Sequence, residues 1–156
     1  MKIGFGNDIH VLEEGRPMMI GGVNIPYPKG PKGHSDGDPL LHAVCDAIIG
    51  AMGKGDIGTL FPDSDPEYKD IPSLELLKRV AAVMKKEGYV VGNIDCTVVA
   101  EEPKIGAYRA DMVLEISGAL EMPGDDINIK GKTQEGLGEI GKGNAISAYA
   151  VVTLVK

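Results

Sequence analysis

The stretch GHSDGDPLLHAVCDAIIGAMG, residues 33–53, carries the clearest fold signal in the chain and much of its chemistry. It begins in loop chemistry, since residues 29–37 read KGPKGHSDG. Asp38 is placed to cap a helix N-terminus. Pro39 suits the first helical position, where its φ is already set and its missing N–H would have no partner anyway. The pattern predicts a helix to about Met52, with Leu40, Leu41, Val44, Ile48 and Met52 on its apolar side, stopped at Gly53. Upstream, residues 2–10 alternate as a strand with a ligand-rich end, and residues 18–25, interrupted by Gly21-Gly22, read as its antiparallel partner.

Downstream, residues 54–72, KGDIGTLFPDSDPEYKDIP, are rich in Gly, Asp and Pro. A loop of about 20 residues is too long to be idle in a compact domain, so a function or a partner is expected there. Ser73 is expected to cap a second helix, running to Glu87 and ended by Gly88. A strand over residues 89–100, a helix over 105–120 and a strand over 126–133 follow. The Gly-rich segment TQEGLGEIGKGN then leads to a last strand over residues 145–155. The order predicts a single α+β domain over residues 1–156, with a mixed or antiparallel sheet covered by helices on one face.

Composition narrows the function. At 156 residues, 43% hydrophobic and 25% charged, the chain is globular rather than disordered. Sixteen basic against 23 acidic residues give a net charge of −7, which argues against a protein that tracks nucleic-acid phosphates. An anionic ligand must therefore be held locally, by metals, helix N-termini or backbone amides. No apolar run approaches the roughly 20 residues of a membrane helix, and no basic-then-apolar leader opens the chain, so neither membrane insertion nor export is expected. Cys45 and Cys96 sit in apolar stretches without CxxC spacing and are expected to pack as small apolar residues in a reducing cytoplasm.

All three histidines, His10, His34 and His42, lie in the first 42 residues. Asp8 and His10, two apart on a strand, point to one face, and His42 precedes Asp46 by one helical turn. One carboxylate and two imidazoles suit zinc with one position open, and Asp46 could orient His42. By spacing alone, a solvent-facing His10 and a hydrogen-bonded helix His42 remain equally open. His34, Ser35, Asp36 and Asp38 gather before a helix N-terminus, where phosphate is favoured, although aspartates are also ordinary turn and cap residues. Asp56, Asp63 and Asp65 could all be solvated turn chemistry, and Asp56 could instead accept hydroxyls of a polyol. Thr133 and Glu135 offer a hydroxyl for phosphate and a carboxylate for a hard cation, or else a helix cap. No GxxxxGK[ST], GxGxxG or GxSxG element is present.

Together these segments resemble the 2-C-methyl-D-erythritol 2,4-cyclodiphosphate synthase family over nearly the whole chain. The likeness rests on D-x-H at Asp8/His10, GHSDGD at residues 33–38 with LLHA through His42, GDIG at 55–58 and LFPD at 60–63. It continues through AEEPK at 100–104, NIK at 128–130 and T-x-E-x-L-G at 133–138. The resemblance implies a cytoplasmic homotrimer around a central channel, with active sites shared between subunits. It implies zinc on Asp8, His10 and His42, and Glu135 helping to hold magnesium or manganese on the substrate diphosphate. His34 and Thr133 would act on phosphate oxygens in the transition state. Ser35, Asp56, Ile57, Gly58, Phe61, Asp63 and Asp65 match substrate-contacting positions. Ala100, Pro103, Lys104, Ile105, Gly106 and Lys132 match those that receive the cytidine end.

The implied reaction converts 4-diphosphocytidyl-2-C-methyl-D-erythritol 2-phosphate to the cyclic 2,4-diphosphate with release of CMP, in non-mevalonate isoprenoid biosynthesis. The nucleophile belongs to the substrate, which fits the lack of a Ser or Cys arrangement. Asn7, Lys132, Gln134, Glu139 and Lys142 depart from residues common in the family. The last two match channel-facing positions, where Glu139 would neutralise Lys142 and weaken any hold on an isoprenoid diphosphate. A metal-dependent phosphoesterase and a non-enzymatic, metal-holding trimer are the competing readings.

Overall fold

The computed structural model describes residues 1–62 and 64–156. In chain order its strands are β1 (Lys2–Glu14), β2 (Met18–Ile20), β3 (Val23–Ile25), β4 (Lys29–Pro31), β5 (Val90–Val99), β6 (Ile127–Lys132) and β7 (Ala145–Val155). The helices are α1 (Pro39–Met52), α2 (Ile57–Leu60), α3 (Ser73–Lys86), α4 (Arg109–Leu120) and α5 (Gly138–Gly141). Short 3-10 turns fall at Pro66–Tyr68, Ile105–Tyr108 and Gly124–Asp126. Five strands form one sheet in the order β4-β1-β7-β5-β6. Only β5 and β6 run parallel, joined by the crossover that contains α4, so the sheet is mixed as expected.

The predicted pairing of residues 18–25 with β1 does not form. Gly21 and Gly22, at φ +61 and +80, turn this stretch back on itself as the β2–β3 hairpin. The Asp38 carboxylate ties the turn to α1, accepting from the N–H of Gly21 (3.0 Å), Gly22 (2.7 Å) and Leu41 (3.0 Å). The partners of β1 are instead β7 and β4, the latter formed by residues that read as loop. β1 also continues beyond His10, to Glu14.

Helix α1 has the predicted ends, Asp38 as N-cap and Gly53 in the left-handed region at its C-cap. It is not amphipathic as expected, since eleven of its fourteen residues are buried. The exceptions, His42, Asp46 and Gly50, are four apart on one side. Toward β1 the helix presents Ala43, Ala47 and Ala51. A side chain at Gly4 would put its Cβ 1.8 Å from the Ala47 carbonyl oxygen, and one at Gly6 2.0 Å from that of Ala43. The backbones of β1 and α1 are therefore in contact, which brings side chains of both within reach of one another.

The core lies between one face of the sheet and α1, α3 and α4. The β1–β7 part of the opposite face is apolar and uncovered in the chain, with Ile3, Phe5, Ile9 and Val11 of β1 59–66% exposed. Phe5 stacks on Tyr149 of β7 across this face, ring centroids 6.4 Å apart. Gly88 follows α3 at positive φ as predicted, but Ser73 is no cap: it is the buried first residue of the helix, and Pro72 is the N-cap. No described helix is long and apolar enough to cross a membrane.

Candidate active site

The contact of β1 with α1 brings Asp8, His10 and His42 together. His10 Nε2 lies 2.7 Å and His42 Nδ1 2.8 Å from the same oxygen, Asp8 Oδ2, and the two nitrogens are 3.3 Å apart. Donors held about 2.0–2.1 Å from a tetrahedral ion would sit about 3.3 Å from one another, so this convergence has the size of a metal site. Among the described residues it is the one cluster of three or more such donors with this spacing.

Hydrogen bonds behind the histidines leave the correct nitrogens facing inward. His10 Nδ1–H donates to the Lys32 carbonyl (2.5 Å), which frees the Nε2 lone pair. His42 Nε2 meets two hydroxyls, Ser73 Oγ at 2.9 Å and Ser35 Oγ at 3.0 Å. Asp46, expected to orient His42, accepts from the Ile57 N–H instead (2.7 Å) and anchors the start of α2. The Lys32 carbonyl is a backbone group and leaves no signature in the sequence. Ser73 was legible only as a cap.

Burial works against charge on Asp8, but hydrogen bonds and attraction from His10 and His42 outweigh it and hold its pKa at about 2. Burial likewise opposes charge on His10, and its bond to Asp8 prevails and raises it. These shifts describe one interaction seen from two sides. Metal binding needs the neutral imidazole. Below the raised pKa of His10, metal affinity should fall at least about tenfold per pH unit, because the His10 proton must leave for the ion to enter. Chelator competition across a pH series would check this, and a flat profile would contradict it.

The cluster opens into a pocket of about 210 Å³ whose lining also includes His34, Ser35, Ile57, Gly58 and Phe61. Tyr68, Ile71 and Leu76, unremarked in the sequence, complete its apolar wall. Asp56 stands at its edge as the N-cap of α2, accepting from the N–H (2.8 Å) and hydroxyl (2.7 Å) of Thr59. Asp65 caps the turn at Pro66–Tyr68. Asp63 lies outside the described residues.

A second pocket, of about 190 Å³, gathers Ala100, Pro103, Lys104, Ile105, Gly106, Lys132 and Thr133, with Val98 and Gly131. Beside it the Thr133 hydroxyl donates to Glu135 (2.7 Å), and Glu101 accepts from the Gln134 N–H (3.1 Å). The pockets share no lining residue. Strand register links them through the rows Asp8–Ala148–Val98–Gly131 and His10–Ile146, which place both at one end of the sheet. Three strand spacings separate them in the sheet, roughly 14 Å. Glu135 is not among the residues that converge with Asp8. Glu139 on α5 accepts from Lys142 (2.9 Å) and from Asn144 (2.9 Å), so the suspected carboxylate–lysine pair forms within the chain.

An α+β domain with a carboxylate–bis-imidazole cluster lining a pocket has the donor set of a metal-binding enzyme of small-molecule chemistry. The YgbB family model matches residues 1–155, and the chain belongs to that family. A Caldicellulosiruptor bescii relative, 53% identical and aligned over 98% of both chains, is named 2-C-methyl-D-erythritol 2,4-cyclodiphosphate synthase. So is one from Bacillus subtilis, 51% identical over 99% of this chain and 98% of the relative. A solved structure of a synthase of the same name in a CDP-bound form superposes with a TM-score of 0.91 at 38% identity, covering 99% of this chain and all of the other.

Proposed function

We propose that this chain catalyses the intramolecular phosphoryl transfer that turns 4-diphosphocytidyl-2-C-methyl-D-erythritol 2-phosphate into 2-C-methyl-D-erythritol 2,4-cyclodiphosphate. The 2-phosphate oxygen of the substrate bonds to the β-phosphorus, the bond from that phosphorus to the bridging oxygen breaks, and CMP leaves with it. The observation that carries this reading is the convergence of Asp8, His10 and His42 in a pocket shared with His34 and Ser35. The CDP held by a similar structure supports a cytidine diphosphate-linked substrate.

Asp8, His10 and His42 fit zinc by donor type and spacing and would hold it. Zinc so held supplies Lewis-acid stabilisation of charge on phosphoryl oxygen. His34, exposed at the pocket rim, is free to meet a phosphate oxygen. Asp56 and Gly58 hold the erythritol hydroxyls, and Ile57, Phe61 and Asp65 add substrate contacts from the same segment. Ala100 to Gly106 and Lys132 receive the cytidine end. The Thr133 hydroxyl has one hydrogen, now given to Glu135. Glu135 would help hold magnesium or manganese, a hard cation suited to a carboxylate, and with Glu135 so engaged the Thr133 hydroxyl would be left to donate to a phosphate oxygen.

Pockets roughly 14 Å apart favour sites completed between copies of the chain. The uncovered apolar face of β1 and β7 supplies a surface for a homotrimer, since monomers rarely leave so contiguous a patch in water. Light scattering should give three chains per particle. In the trimer's channel, a geranyl- or farnesyl-diphosphate-like ligand should bind weakly, because Glu139 already pairs with Lys142. Glu139→Phe with Lys142→Arg should tighten it, as titration calorimetry would show. Two buried, unpaired cysteines and a metabolic role support a cytoplasmic location.

The test is direct. Protein with zinc and magnesium, given the cytidyl substrate, should yield CMP and cyclic diphosphate one to one. Inorganic phosphate should not appear, nor should oxygen from labelled water enter the product. Solvent label in product phosphate would identify a phosphoesterase instead, and no turnover by the metal-loaded protein would leave only a structural metal.

A further inference from the structure

Behind His42 runs a chain of hydrogen bonds that ends on a carboxylate the reaction does not use. The Ser73 hydroxyl donates to Asp36 Oδ1, a group that can only accept when ionised. Its single hydrogen is thereby committed, so toward His42 Nε2, 2.9 Å away, Ser73 can only accept. Asp36 is itself fixed, its Oδ2 accepting from the Ser73 N–H (3.0 Å) and its Oδ1 from the Asp38 N–H (3.1 Å). Ser73 is wholly buried, so water cannot replace its hydroxyl as the acceptor.

We infer that Asp36 and Ser73 are a positioning pair that fixes the proton of His42 on Nε2 and so presents the Nδ1 lone pair to a metal ion. The pair is needed because one neighbour presses the other way and a second permits it. Asp8 Oδ2 lies 2.8 Å from Nδ1 and would accept a proton from it. The Ser35 hydroxyl, 3.0 Å from Nε2, could donate to that nitrogen. Ser35 accepts from the Gly37 N–H but commits its own hydrogen to no carboxylate, so it stabilises either tautomer. Ser73 alone decides between them, which ranks two serines that geometry leaves nearly equivalent.

This inference rests on the metal reading proposed above, and its test separates the two. Ser73→Ala keeps the backbone bond to Asp36, so it removes the relay and little else. Zinc affinity measured by chelator competition should fall about 10–100-fold, the usual cost of losing such an outer partner. Ser35→Ala should weaken it less, and Ser73→Thr should restore most of the affinity. The thermal midpoint of the metal-free protein reports any simple loss of fold. In zinc-loaded wild-type protein, NMR should show a slowly exchanging His42 Nε2–H, a measurement that needs no variant. Affinity within twofold of wild type in Ser73→Ala, a larger effect from Ser35→Ala, or a rapidly exchanging Nε2–H would overturn the relay. Failure of the metal reading looks different: His42→Ala would then bind zinc as the wild type does.

Discussion

His42→Ala should abolish stoichiometric zinc binding and lower kcat/KM by more than about 100-fold, beyond the loss expected from an outer partner. Removing His42 leaves Asp8 and His10, and two protein donors fall short of the three that catalytic zinc sites use. The variant should still fold, because His42 is one of three α1 residues outside the core and supports no packing stripe. Elemental analysis after dialysis, with circular dichroism as the check on folding, decides the matter. Full zinc occupancy in the variant would refute the assignment. Asp46 provides the contrast on the same helical face. Its carboxylate holds the Ile57 N–H rather than His42, so Asp46→Ala should leave zinc affinity unchanged while loosening the start of α2.

The legible parts of this molecule were those set by local chemistry. Asp38, Pro39 and Gly53 mark the ends of α1 because caps and φ preferences act within a turn or two of chain. Asp8, His10 and His42 were legible as donors, since their residue types and the geometry of one strand and one helix put them on usable faces. What the sequence hid was set at long range. The order β4-β1-β7-β5-β6 seats the C-terminal strand beside the N-terminal one, and no local pattern carries that pairing.

The alternation of β1 is a subtler case. Ordinary reading of a half-buried strand sends Ile3, Phe5, Ile9 and Val11 inward and Asp8 and His10 toward water. Here the bulky residues face outward and Gly4, Gly6, Asp8 and His10 face the helix. The inversion has two physical causes. Only glycine tolerates the closeness of α1, and the outward apolar face has the size and character of an interface rather than a solvent surface. Asp36 and Ser73 were hidden for a similar reason, since 37 residues separate two groups that meet only in the folded chain.

That closeness makes the largest stability prediction. Gly6→Ala would place a Cβ 2.0 Å from the Ala43 carbonyl oxygen and 2.8 Å from the Ala47 nitrogen. Both are helix backbone, so no flexible side chain can yield and α1 itself must shift by more than an ångström. Overpacking against movable neighbours costs about 1–3 kcal/mol, and this case should reach or exceed about 3 kcal/mol. That is a large share of the roughly 5–15 kcal/mol holding a domain together. The shift also carries His42, beside Ala43, away from Asp8 and His10, so any folded fraction should bind zinc more weakly. Gly50→Ala is the matched control on the same helix. Its Cβ would meet nothing within 4 Å, and an alanine in an exposed helical position should stabilise the chain by about 0.5–1 kcal/mol. Urea unfolding of the two metal-free variants beside wild type should therefore show opposite signs for the same change of side chain. A cost below about 1 kcal/mol at Gly6 would mean that β1 and α1 are not in backbone contact, and the account of how Asp8, His10 and His42 come together would fall with it.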